Sequence, residues 1–315
     1  MARIGIDTTL NKVIVILNGN YSKQKHVYIN IYDEGGNLER RENLPNNVDY
    51  QLLSFRPYLV SETEMTLLGT YSLSRRNKTQ GIYSFNIENA QVNRRFYDFV
   101  YLKNFFNYVD SAKREKYVGK ILKKKKAGKT KHFVYDFFVK ELRLVDDQLY
   151  FSAESYIALF LQQNMRNTAL GGFSPYYGSN RFSRFRNSTY PSSRSRQIPT
   201  SYKFTNAIIC SFSKQGALQW DNSFTLDEHE SDLPLPFSAY QHNGDSLAIV
   251  HFHKDKLYHK QVYKSQLQEH ELEKELYSEE VKKTVAVHEE EIVEAWYAPY
   301  FLMTGYESLR VEGEL

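Results

Sequence analysis

The sequence predicts an all-β protein: a β-propeller-like array of antiparallel sheet modules carrying a helical-hairpin insertion, with a two-sheet β-sandwich with insertions as the alternative. Three observations predict it. Strand–polar turn–strand units recur, at residues 13–17 then 27–32, 67–71 then 81–87, 142–145 then 149–156, 207–212 then 217–224, and 247–252 then 256–262. Aromatics are abundant, with 25 Tyr and 20 Phe against 2 Trp, and Tyr and Phe suit the half-buried surface of a pleated sheet. Only 8 Pro and 15 Gly occur among 315 residues, which excludes a fibrous or disordered chain.

Taken in order, 13–17 is a short apolar strand, Asn18-Gly19-Asn20 reads as a turn, and 27–32 is the partner strand. Asp33-Glu34-Gly35-Gly36-Asn37 is a second turn with glycines available for positive φ. Strands follow at 52–55 and 65–71, and 81–87 alternates with period two. The pattern breaks at 91–131. There Phe99, Leu102, Phe106 and Val109 recur at spacings of three and four, as on a helix face. Asp110 or Ser111 can cap a second helix and Gly128 can end it. Strands resume at 133–145 and 149–156. A second break, 171–203, is rich in Ser, Arg and Tyr, has no apolar periodicity, and reads as a long loop. The hairpin 207–224 turns at Lys214-Gln215-Gly216, and 247–262 turns at Lys254-Asp255-Lys256. Residues 264–283 are helical in composition but have only a thin apolar stripe, Leu267, Leu272 and Leu276. An aromatic strand at 296–306 closes the series. A propeller blade takes about 40–45 residues, so the chain, read as a single domain over 1–315, has room for roughly five or six modules.

The charge balance, 41 basic against 37 acidic residues for a net +4, does not by itself argue for nucleic acid. Cys210 is the only cysteine, so no intrachain disulfide forms, and its apolar run marks it as a small buried hydrophobe. The apolar runs are strand-sized, far short of the roughly 20 residues a helical membrane span needs. The opening Met-Ala-Arg-Ile-Gly-Ile-Asp has no apolar signal region.

Sequence signatures of catalysis are missing: there is no Gly-x-Ser-x-Gly, His-Glu-x-x-His or phosphate-cradling glycine loop. The candidate contact residues lie in the breaks. In the loop, Tyr176, Tyr177, Arg181, Arg184, Arg186 and Tyr190 form an aromatic, basic surface suited to protein or glycan. In the insertion, Lys123, Lys124, Lys125 and Lys126 are candidates for an anionic surface or nucleic acid, weighed against a solvated helix. His251 and His253 alternate on one strand face, yet no third ligand has a defined spacing, so no metal is assigned. The acidic loop 227–232, with Glu228, His229 and Glu230, lacks a calcium-loop spacing. Glu154 is a lone acid among strand aromatics, read as an anchor for backbone N–H groups rather than a catalyst.

Several segments carry a resemblance: Leu68-Gly69-Thr70-Tyr71 with Gln80-Gly81-Ile82-Tyr83-Ser84, Phe105-Phe106-Asn107-Tyr108, Tyr150-Phe151-Ser152-Ala153-Glu154-Ser155-Tyr156, Leu218-Gln219-Trp220-Asp221-Asn222-Ser223-Phe224, and Trp296-Tyr297 with Tyr300-Phe301-Leu302. Together they resemble a family of uncharacterised proteins of the Bacteroidota, the flavobacterium and cytophaga group. The resemblance implies a propeller-like fold and a cell-envelope or secreted location, and it carries no activity, cofactor or catalytic residue. The expectation is therefore a non-enzymatic binding or scaffolding protein without a cofactor. Its partner is expected to be protein or glycan rather than nucleic acid. A glycan-acting hydrolase or lyase with channel acids is the alternative, and anionic-surface binding through the lysines is the third reading.

Overall fold

In a computed structural model, the described residues form five antiparallel sheets in sequence order, with one α-helix. The structure describes residues 2–21, 24–45, 50–73, 78–128, 136–140, 142–160, 199–226, 230–232, 238–243, 246–253, 256–263, 266–275, 285–297 and 299–309. The all-β class is as the sequence predicts.

The first sheet is the meander β1 (Ala2–Asp7), β2 (Lys12–Tyr21), β3 (Gln24–Tyr32) and β4 (Leu38–Pro45). Asn18-Gly19-Asn20 lies inside β2 and is not a turn. Pairing continues through Gly19↔His26 to Tyr21↔Gln24, so the ladder overrides the local Asn-Gly signal. The Asp33 turn forms as expected: Oδ1 of Asp33 accepts the Asn37 N–H at 2.7 Å, and Gly36 has φ +79°.

The second sheet comprises β5 (Gln51–Leu52), β6 (Arg56–Leu59), β7 (Glu64–Ser72), β8 (Gly81–Glu88) and β9 (Gln91–Asp98). Here the expected helical hairpin is corrected. Residues 91–98 are a strand paired along all of β8, and the three–four spacing belongs to a 3-10 turn, Phe99–Tyr101, and the turns after it. One α-helix follows, α1 (Ser111–Lys126), with the Asp110 carboxylate accepting the Ala112 N–H at 2.9 Å and Gly128 at φ +68° beyond its end.

The third sheet has β12 (Gln148–Leu159), β13 (Ser201–Ser213) and β14 (Leu218–Thr225) in order; β10 (Asp136–Val139) and β11 (Arg143–Val145) pair with β12, and β15 (Glu230–Ser231) with β13. The expected strand at 133–145 is thus two short ones that both pair with β12. The β13–β14 hairpin turns where expected, with Gly216 at φ +74°.

The fourth sheet is β16 (Ala239–Asn243), β17 (Ser246–His253), β18 (Lys256–Tyr263) and β19 (Gln266–Glu275). In β19 a helical composition becomes a strand, because pairing with β18 supplies what the thin leucine stripe cannot. The fifth is the hairpin β20 (Val285–Ala295) and β21 (Phe301–Leu309). The expected last strand begins late: Trp296 and Tyr300 close a turn, with the Trp296 N–H donating to the Tyr300 carbonyl at 3.1 Å.

The sheets stack in series, each consecutive pair sharing an apolar cluster. Ile14, Ile16, Val27 and Ile29 meet Leu59, Met65, Leu67 and Phe85. Leu68, Ile82, Phe99 and Phe105 meet Phe151, Ile208, Cys210 and Phe212, with Ile121 of α1 in the same cluster. Ala207, Ile209 and Phe224 meet Tyr240, Leu247 and Ile249, and Ala239 and Val250 meet Val293. Cys210 is fully buried, and burial pushes its thiol pKa well up, so it packs as a hydrophobe.

Candidate functional site

The best-formed candidate lies where the third sheet meets the second, fourth and fifth. It begins with Glu154. The alternation of β12 turns this carboxylate inward, where it is wholly buried. A buried charge needs partners, and it has several. Its Oε1 lies 3.2 Å from Nζ of Lys140, accepts the Ser238 N–H at 2.9 Å and accepts the Tyr240 hydroxyl at 3.3 Å. Glu154 therefore ties the fourth sheet to the third and anchors a backbone N–H, as its sequence setting suggests. Lys140 follows β10, its N–H donating to the Ser152 carbonyl at 3.0 Å, and its ammonium rests 4.2 Å from the Tyr240 ring centre. Burial lowers the Lys140 pKa, with Glu154 opposing.

In front of this ion pair is a cavity of about 560 Å³. Arg56, Lys140, Arg143, Tyr150, Ser152, Tyr240, His242 and Glu294 contribute to its wall, with Val139, Ile209 and Leu247 as apolar floor. The arginines are held by carbonyls. Nε of Arg56 donates to the Lys140 carbonyl at 2.6 Å and Nη1 to the Phe55 carbonyl at 3.0 Å. Nη1 of Arg143 donates to the Tyr240 carbonyl at 2.8 Å. Among the described residues neither guanidinium has a carboxylate partner. The His242 ring meets Tyr150 edge-on at 4.0 Å between centres. Burial, with Arg143 adding to it, lowers the His242 pKa from 6.5 to about 4, so the imidazole is neutral at pH 7.

A second cavity of about 560 Å³ lies between the first two sheets, lined by Leu10, Lys12, Ile31, Arg40, Leu59 and Glu62 among others. Lys12 pairs with Glu39 at 2.6 Å and Nε of Arg40 with Glu42 at 2.8 Å, while Nη1 of Arg40 is buried without a partner among the described residues. Glu39 and Glu62 share the wall, so it offers less to an anion.

The sequence candidates fare unevenly. Tyr176, Tyr177, Arg181, Arg184, Arg186 and Tyr190 lie outside the described residues, as do Glu228 and His229. Lys123, Lys124 and Lys126 are exposed on the last turn of α1. Lys125 instead turns back to the Asp98 carboxylate and lies 4.1 Å from the Tyr101 ring centre. His251 is fully buried and stacks on Tyr258 at 5.0 Å, while the His253 side chain is outside the description. Among the described residues no group of three or more His, Cys, Asp and Glu is placed to hold a metal ion. None of their helices is long and apolar enough to cross a membrane.

Arg56, Lys140 and Arg143 escaped sequence reasoning. Eighty-seven positions separate the first from the last, and no spacing links them to Tyr240 and His242. Only the stacking of sheets gathers them.

No protein-family profile and no curated protein matches the chain. Among solved structures it is similar to the polysaccharide lyase Uly1 at 9% identity and TM-score 0.40, over 99% of this chain and 55% of that one. It is also similar to a mutant of the Synechocystis apocarotenoid oxygenase at 7% identity and TM-score 0.34, over 86% of this chain and 50% of that one. The chain spans about half the length of these structures.

Proposed function

We propose that the chain is a non-enzymatic recognition protein of propeller-like build, its stacked sheets serving as blades, and that it takes an acidic glycan in the Arg56–Lys140–Arg143 cavity. The observation that carries this reading is the pair of guanidiniums that line one cavity with no carboxylate partner among the described residues. A guanidinium fork matches a carboxylate or sulfate in two parallel hydrogen bonds. Tyr150 and Ser152 add an aromatic surface and a hydroxyl on the same wall, which suits a sugar ring with one apolar face and polar edges. Paired-carboxylate hydrolysis is not supported, since it needs two carboxyl groups about 5–9.5 Å apart and open to the sugar, and Glu154 is enclosed by Lys140, Ser238 and Tyr240. A lyase is the second reading, because the neutral His242 could accept a proton while Arg143 holds the acid group.

Calorimetric titration with a galacturonate trisaccharide and its neutral galactose counterpart tests both. The acidic sugar is expected to bind, the neutral one to bind at least tenfold more weakly, and the exposed Arg143→Gln variant to lose the difference. Equal binding of the two sugars, or an unchanged Arg143→Gln profile, would overturn the reading. Ultraviolet absorbance from an unsaturated uronate product would replace it with the lyase.

A further inference from the structure

We infer that α1 is a second, separate contact for the same ligand class: a rigid lysine row that holds a polymeric acidic glycan along its length. This rests on the reading of the cavity for the choice of glycan, but not for the existence of the surface. Tyr117, Val118, Ile121 and Leu122 face the core. At 100° per residue, the opposite side of the helix carries Lys116, Lys120 and Lys123, flanked by Lys113 and Lys124. All five are exposed, and no acid pairs with any of them among the described residues. At 1.5 Å per residue, Lys113, Lys116, Lys120 and Lys124 put a charge roughly every 5 Å along about 17 Å of axis.

Helix stability does not account for this row. Cations in the last turn favour the helix macrodipole, but Lys113 sits in the first turn, where the dipole disfavours it, and Lys116 and Lys120 lie mid-helix, where the dipole does nothing for them. The first turn has no acid. Like charges at i,i+3 and i,i+4, as in 113/116, 116/120 and 120/124, each cost roughly 0.2–0.5 kcal/mol. The fold nevertheless holds the row rigid. Asp110 caps it, Ile121 is buried, and Lys125 is pinned to Asp98. Arg114 bonds inward to the Asn107 and Val109 carbonyls at 2.9 and 3.1 Å. Such preorganisation spares a ligand the ordering cost.

The outward chemistry selects the occupant. The row is all lysine, point charges without a guanidinium fork, and carries no aromatic on which a base could stack. The apolar residues of α1 point inward, so it offers nothing to insert into a bilayer. What remains is a regular series of charges for a linear polyanion.

The test measures binding of polygalacturonate and of its trisaccharide to the full chain, over a range of salt, for the parent and for Lys116→Gln/Lys120→Gln/Lys123→Gln. Glutamine keeps helix propensity, and circular dichroism checks that helix content is retained. Polymer binding should weaken at least tenfold with a shallower salt slope, while trisaccharide binding stays unchanged. Unchanged polymer binding, or equal loss for polymer and trisaccharide, would overturn the inference. So would duplex DNA or phosphatidylserine vesicles binding more tightly than the polymer and losing as much. A trisaccharide that never binds, beside a polymer that needs the lysines, would sink the cavity reading and leave the row standing.

Discussion

The second and third sheets bury both faces, whereas the first buries only one. In β7 and β13 consecutive side chains are buried: Leu67 faces the first sheet while Leu68 faces the third, and Ile208 and Ile209 divide likewise between the second and fourth. In the first sheet Ile14, Ile16, Val27 and Ile29 are buried, but the other face carries Ile4 and Ile6, 69% and 75% exposed, with Leu17 on the neighbouring β2 and Leu38 at the far edge on β4 exposed as well. The same antiparallel ladder thus has two compositions. A strand packed on both sides reads as a continuous apolar run, and one packed on a single side alternates. The backbone is confined to match. A Cβ on Gly69 would lie 2.0 Å from the Ser54 carbonyl oxygen, whereas one on Gly5 would have nothing nearer than Pro57 at 4.0 Å.

The largest expected effect belongs to the doubly packed region. Phe151 is fully buried in the cluster that joins the second and third sheets and meets Phe212 edge-on at 6.4 Å. Phe151→Ala should cost about 3–5 kcal/mol, through lost transfer energy and a residual cavity. Urea unfolding checks this. A cost below about 1 kcal/mol, within the range of ordinary surface substitutions or just above it, would mean the two central sheets are not a joint core.

This contrast also explains what was legible in the sequence. The all-β class and the hairpins of residues 207–224 and 247–262 were visible because strand-period apolar runs flank genuine turn residues, Gly216 among them. Strand β4 was not, since its charged and polar residues carry little apolar signal, nor were the short β1 and the acid-interrupted β20; pairing makes each a strand. The apparent helix at 99–109 failed for a different reason. Phe99, Leu102, Phe105 and Phe106 are all buried, but a string of tight turns repeats at three to four residues much as a helix does. Of the site, Glu154 behind the cavity was singled out in the sequence, whereas Arg56, Lys140, Arg143 and His242 were not, because their sequence neighbours carry no signal and they acquire meaning by sheet stacking.

A smaller effect is expected at the junction of the third and fourth sheets, and it depends on pH. His242 sits among Tyr150, Arg143 and, more distantly, Asp146; its pKa is about 4 in the fold against an ordinary 6.5. Protonation thus favours the unfolded chain. Between pH 6.5 and about 4 the unfolded state binds more protons, so stability is intact above pH 6.5 and falls as the pH drops through that window. Urea midpoints at pH 7 and pH 5 should show this loss in the parent and less of it in His242→Gln. An identical loss in the variant would assign the effect to other groups.

The smallest effect should come from the free face of the first sheet. Ile4 and Ile6 lie opposite Val15 and Val13 on β2 and remain mostly in solvent. Because little area leaves water when they fold, Ile4→Thr with Ile6→Thr should change stability by no more than about 0.5 kcal/mol. Threonine keeps the β-branched preference for strands, so the ladder to β2 should persist. The substitution should also raise solubility, since it breaks an exposed apolar patch. A loss above 2 kcal/mol would show that this face is covered in solution, and that the first sheet is packed on both sides like the central two.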